Sequence, residues 1–185
     1  MRMATVHGAG AVVLAAAALA AAGCGSSSSS SSSSAAAVSQ GPACDTTGSL
    51  ATATTATYKM VLDVGEPEQM YSSADVSANH PTTGEVMLGG VMSMATGPNA
   101  RHVEVHICKA STGEVVVSAN PTITLTDTAA AGSTPAPLEV SEMQGVTSGQ
   151  NDYHYGNNAV LAIGHAYTVT VTLNGETATM NFTAA

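Results

Sequence analysis

Residues 58–63, 85–88, 102–108, 114–117, 122–126, 138–140, 159–163, 167–173 and 177–182 are short runs rich in β-branched side chains. Runs of this length and composition suit strands and are too brief for core helices, so they restrict the chain to an all-β fold. Turn chemistry separates them: Thr112-Gly113, Asn120-Pro121, the stretch 129–137 and Asn174-Gly175. Asn-Gly between two alternating runs predicts a type I′ hairpin, in which both turn residues take positive φ. Only residues 72–79 read as helical, for about two turns. Eight or nine strands in one core-sized segment predict an immunoglobulin-like antiparallel β-sandwich over residues 44–185. Tyr167, at the start of a late strand, reads equally as a tyrosine corner bonded to upstream backbone or as a rim aromatic.

Nothing before residue 44 can join such a core. Residues 26–34 are nine consecutive serines, which have no apolar surface to bury and behave as flexible coil. Ahead of them Arg2 precedes an apolar run, 9–22, that ends in Gly23-Cys24. A basic start, an apolar middle and small residues before the cut are the layout of an export signal. The run is shorter than the roughly 20 residues a membrane-spanning helix needs. A cysteine directly after Ala21-Ala22-Gly23 resembles the bacterial lipobox, with Ala21 in the place that usually holds Leu; the other reading is a plain signal peptide with a chance Cys. The expected organisation is therefore a signal peptide over 1–23, a lipidated Cys24 with a Ser/Ala-rich tether over 24–43, and a sandwich over 44–185. That places the domain at the extracytoplasmic face of a cell membrane, held by acyl chains.

Only Lys59, Arg101 and Lys109 offset 13 acidic residues beyond the tether, a balance that repels nucleic acid. With Cys24 assigned to lipid, Cys44 and Cys108 remain. In an oxidising compartment they read most simply as a disulfide, the alternative being a Cys108 thiolate that binds metal.

The most telling run is Arg101-His102-Val103-Glu104-Val105-His106-Ile107-Cys108. Strand alternation sends Val103, Val105 and Ile107 to the core and His102, Glu104, His106 and Cys108 to the opposite face. That face is either an ordinary solvated one or a ligand set. Upstream, Met92 and Met94 share a face if their segment is a strand; thioether with imidazole suits Cu(I), and carboxylate with imidazole also admits Fe, Zn or Cu(II). Downstream, Asn151-Asp152-Tyr153-His154-Tyr155-Gly156-Asn157-Asn158 reads as a structured turn, with Gly156 supplying unusual backbone angles.

Two of these segments resemble the periplasmic iron-transport protein family, whose members work beside iron permeases and bind copper. A family strand of the form His-Leu-Glu-Ala-Asp-Ile-His is similar to His102–Cys108, a Pro-Tyr-Leu-Thr-Ile strand to Pro121-Thr122-Ile123-Thr124-Leu125, and a His-Tyr-Gly-x-Asn turn to His154-Tyr155-Gly156-Asn157-Asn158. The resemblance implies an immunoglobulin-like fold and a metal site built from strand and turn histidines with a Met and an acidic residue. His154 carries over directly. Cys108 stands where the family has its second His, His106 where it has Asp, and Arg101 where some members have Met. His106 is then the substitute histidine and Met92 or Met94 the substitute thioether, with His102 and Glu104 beside them.

The expected function is thus a non-enzymatic, lipid-anchored protein that binds copper or iron for metal uptake or copper handling, with a membrane iron permease as possible partner. The rival reading is a cell-surface interaction module without metal. A separation above about 10 Å between His102, His106 and His154 favours the module, because metal–ligand bonds are near 2 Å. An enzyme ranks third, since the chain has no Gly-x-Ser-x-Gly, His-Glu-x-x-His or P-loop pattern.

Overall fold

The computed structural model describes residues 42–93 and 95–185. The expected signal, Cys24, the serine tether and Met94 lie outside the described residues. After a short 3₁₀ turn, Pro42–Cys44, the strands are β1 (Ala51–Thr54), β2 (Tyr58–Gly65), β3 (Met70–Ser72), β4 (Glu85–Gly89), β5 (Ala100–Lys109), β6 (Thr122–Asp127), β7 (Ala136–Pro137), β8 (Ser141–Gly145), β9 (Gly149–Val160), β10 (Ala166–Leu173) and β11 (Glu176–Thr183). Seven form one sheet in the order β1-β2-β5-β9-β8-β4-β3 and four form a second, β11-β10-β6-β7. All pairings are antiparallel except β3 with β4. The chain is an all-β sandwich.

Period-two alternation builds the core. Met60 and Leu62 of β2, with Val103, Val105 and Ile107 of β5, meet Ile123, Val169, Val171 and Met180 of the smaller sheet, all nearly or fully inaccessible. Asn174 and Gly175 have φ of 51° and 82°, as a type I′ turn requires. The Tyr167 hydroxyl accepts a hydrogen bond from the Ala162 N–H at 2.8 Å, the tyrosine-corner geometry. The helical stretch is α1 (Ser73–Asn79), where Ser72 and Asp75 form a reciprocal capping box.

Four local readings change. The run at 159–163 is no strand of its own: residues 159 and 160 end β9 and 161–163 leave the sheet. Residues 114–117 form no strand: one isolated bridge, Cys108 with Val115, and a Lys109–Glu114 ion pair hold them to β5, and Val117 is half exposed. Residues 138–140 link the two sheets instead of forming a strand. The expected turn at 151–158 lies inside β9, and Gly156 is absent from the positive-φ positions. Its glycine answers to close approach: a Cβ there would overlap the Val103 carbonyl oxygen and lie 2.9 Å from Glu104 Cα. Gly156→Ala should therefore cost about 1–3 kcal/mol by overpacking, read as a lower urea midpoint; an unchanged midpoint would contradict this account.

Cys44 and Cys108 are disulfide-bonded, with Cα atoms 6.3 Å apart. The bond ties the first described turn to β5. Closing a loop with a sequence separation of 64 stabilises by about 4 kcal/mol in the chain-entropy view.

Candidate metal centre

The face of the large sheet turned away from the sandwich core carries the polar cluster. On β5, alternation delivers His102, Glu104 and His106 to it, as expected. Register decides who meets them. β2 sets Asp63 opposite Glu104 and Val61 opposite His106. β9 sets Asn158 opposite His102 and Gly156 opposite Glu104, and continuing this register brings His154 opposite His106. β9 is anchored from its other side. Tyr155 donates to the Val116 carbonyl and accepts from Ala119 N–H, while the Tyr153 hydroxyl accepts from Ser118 N–H. With both tyrosines held in the core, His154 between them must face the cluster.

The histidines of this face are not solvated. His102, His106 and His154 are 3%, 5% and 0% exposed. Ring centroids lie 5.3 Å apart for His102–His154 and 5.5 Å for His106–His154, well inside the separation that one ion can bridge.

Each imidazole has its Nδ1 held by an acceptor. His154 Nδ1–H donates to the Asp152 carbonyl at 2.9 Å, and His106 Nδ1–H to the Tyr153 carbonyl at 3.0 Å. His102 Nδ1 is 3.0 Å from Asn158 Oδ1. The Asn158 amide is oriented by Glu68, whose N–H it accepts and whose carbonyl it donates to, so its oxygen faces the ring. A carbonyl can only accept, so all three rings carry the proton on Nδ1 and present a bare Nε2 lone pair.

The Nε2 atoms of His102 and His154 are 3.2 Å apart. Two lone pairs cannot hydrogen-bond to each other. Two nitrogens held about 2.0–2.1 Å from one tetrahedral ion, however, lie about 3.3 Å apart. The spacing is that of a chelate.

Carboxylates complete the set. Glu104 Oε2 lies 4.0 Å from the bare Nε2 of His106; its shorter approach to His154, 3.4 Å, is to the protonated Nδ1 and is not a ligand pair. Asp63 Oδ2 is 3.9 Å from His106 Nε2, and Glu85 Oε2 is 3.9 Å from His154 Nε2. Three overlapping groups bring one ligand atom of each member within 4.8 Å of the others: His102, Glu104 and His154; His106, Asp152 and His154; Asp63, Glu104 and His106. Buried Glu85 Oε2 has no hydrogen-bond partner among the described residues, an orphaned acceptor of the kind a cation satisfies.

Electrostatics follow from burial. Desolvation first, then the charges of Asp152 and Glu68, push Glu85 up to about 8. Desolvation, then Asp152, Asp63, Glu85 and Glu68, push Glu104 up to about 8. Burial, then His102 and His106, brings His154 down to about 3, and burial lowers His102 and His106 as well. Near pH 7 the cluster therefore holds neutral imidazoles and protonated Glu85 and Glu104. The side chains stand ready for a cation, not paired as ions.

A cavity of about 320 Å³ opens on the His106 side, its acidic wall made by Asp45, Asp63, Glu104 and Asp152. Met92 is elsewhere. β4 ends at Gly89, Gly90 turns at φ 97°, and Met92 is 37% exposed beside a separate cavity of about 280 Å³. Cys108 is committed to the disulfide and supplies no thiolate.

Sequence reasoning missed Asp63, Asp152, Glu85 and the orienting Asn158. Asp152 was within reach, since two residues before His154 is the same face of a strand. It also missed Met143, a fully buried residue outside the sandwich core that pairs across β8–β9 with His154.

A β-sandwich with a buried histidine–carboxylate cluster on its outer sheet face is the class that fold and site define. Compared with known proteins, the chain matches no family model, no curated protein and no solved structure at a significant level.

Proposed function

We propose that this chain is a lipid-anchored, extracytoplasmic metal-binding protein that holds copper or iron, in metal uptake or copper handling, and acts by binding instead of catalysis. One observation carries the reading: three buried imidazoles each have Nδ1–H engaged and Nε2 bare, two of them at chelate spacing. Hydrogen-bonding the distal nitrogen is how proteins orient a histidine ligand. Nitrogen with carboxylate oxygen suits Cu(II), iron or zinc, and a thioether, such as that of Met143, would add affinity for Cu(I).

Export and anchoring are supported by the Arg2, 9–22 and Cys24 pattern and fit a disulfide-permissive compartment. Among the described residues no helix is long and apolar enough to cross a membrane, so the lipid on Cys24 is the proposed membrane contact. A membrane iron permease is the proposed partner, on the strength of the family resemblance.

Titrating the purified protein with Cu(II), Cu(I), Fe(II) and Zn(II) tests the reading. It expects one tight equivalent of copper or iron, and no stoichiometric binding by any of the four would end it. Asn158→Ala frees the His102 ring and should weaken binding about 10–100-fold, the usual cost of losing an orienting partner. Equal affinity in this variant would remove His102 from the ligand set.

A further inference from the structure

The segment from Pro42 to Thr47 crosses the histidine face. Its Ala43, 4% exposed, together with Asp45 and Thr47, forms one wall of the cavity into which His106 opens. Two ties fasten this strap. The first is the disulfide from Cys44 to Cys108, which lies on β5 two residues beyond His106 on the same face. The second is Lys59, the β2 partner of Cys108, whose Nζ donates to the Cys44 carbonyl at 2.8 Å. Beyond these, the strap's side-chain bonds are internal: Asp45 Oδ1 accepts from the N–H and hydroxyl of Thr47. Those bonds keep the Asp45 carboxyl below the usual range, so the strap brings an ionised carboxylate to the cavity mouth.

We propose that the Cys44–Cys108 disulfide is a redox latch: while it is closed the strap walls the metal site, and its reduction opens the His106 side and speeds release of the ion. The proposal rests on the metal-binding reading and names how that site is regulated. Cys108 is fully buried and Cys44 partly exposed, so Cys44 is the sulfur open to attack. A thiolate of a dithiol reductant attacks it and forms a mixed disulfide, expelling the Cys108 thiolate. The reductant's second thiolate then closes its own disulfide and releases Cys44. Two electrons and two protons pass from the dithiol to the protein, leaving two thiols. The strap then keeps the Lys59 tie and the packing of Ala43.

Two measurements on the full-length protein test this. In the metal-free protein, deuterium exchange at imidazole C2 is followed for each histidine, before and after dithiothreitol. His106 should exchange at least fivefold faster once reduced, while His165, which precedes β10 and is bonded to Asp127 of β6, stays unchanged. Separately, chelator-driven release of Zn(II) should be at least tenfold faster from C44S/C108S than from the oxidised protein. Faster His106 exchange without any Zn(II), copper or iron binding would keep the latch and end the metal reading. Unchanged His106 exchange, or unchanged Zn(II) release, overturns the latch. If breaking the disulfide unfolds the domain, so that buried His102 and His154 also exchange freely, Lys59→Met decides. It keeps the disulfide and loosens the strap, so it should accelerate His106 alone, and no acceleration overturns the proposal.

Discussion

Replacing His154 by alanine is expected to lower affinity for the bound copper or iron by at least about 100-fold. His154 belongs to two of the three ligand groups, and losing a ligand should exceed the 10–100-fold cost of losing an orienting partner. The ring is completely buried and its Nδ1–H serves the Asp152 carbonyl. The metal-free variant should therefore also lose about 1–3 kcal/mol, from an emptied site and an unpaired carbonyl. His165→Ala is the control, being 42% exposed and bonded to Asp127 on the smaller sheet. Isothermal titration and urea melts separate the two effects. If His154→Ala binds as tightly as the parent, the cluster is not the site.

The second large effect is on pH. Glu85 and Glu104 sit near 8 in the folded protein against an ordinary 4.5, so between about 4.5 and 8 the folded state holds protons that the unfolded chain has lost. Stability contributed by these groups therefore falls as pH rises through that window. The histidines act oppositely: their lowered values mean that the unfolded chain gains protons first below about 6.5, so stability falls as pH drops there. Above pH 6.5 the glutamates dominate, the histidine contribution fading out by about pH 7.5. The metal-free protein should lose on the order of 2 kcal/mol between pH 6.5 and 8.5. An ion bound by Glu104 must displace its proton, so affinity should rise up to about tenfold per pH unit per proton released between pH 6 and 8, then level. Bound metal should abolish the stability loss. Affinity flat from pH 6 to 8 would exclude the raised carboxyls as ligands.

Much of the fold was legible because strand alternation and turn chemistry are local. The hairpin at Asn174-Gly175, the helix after Ser72 and the Val103/Val105/Ile107 core face could all be read from neighbours in sequence, and the Cys44–Cys108 pair from counting cysteines. The segment at 151–158 misled for a physical reason. Gly and Asn are turn formers, but here they serve a strand: Gly156 yields space to the β5 backbone, and Asn157 accepts from Ser93 N–H and donates to the Val91 and Glu139 carbonyls. Met92 misled differently: the strand it was expected to lie on ends at Gly89, and Met92 borders a cavity other than the one His106 lines.

The sequence by itself determined that His102, Glu104 and His106 share one face of a strand, because alternation depends only on the residues of that strand. It could not determine that the histidines of this face are buried, nor that Asp63, Asp152 and Glu85 converge on it; His154 was joined to it only through the family resemblance. Those meetings depend on the registers of β2, β5, β9, β8 and β4, and a slip of one residue in any of them would turn its side chains to the opposite face. Register is set by the packing of the whole sandwich, including the two tyrosines that hold β9. Only the tertiary structure, therefore, could assemble the site.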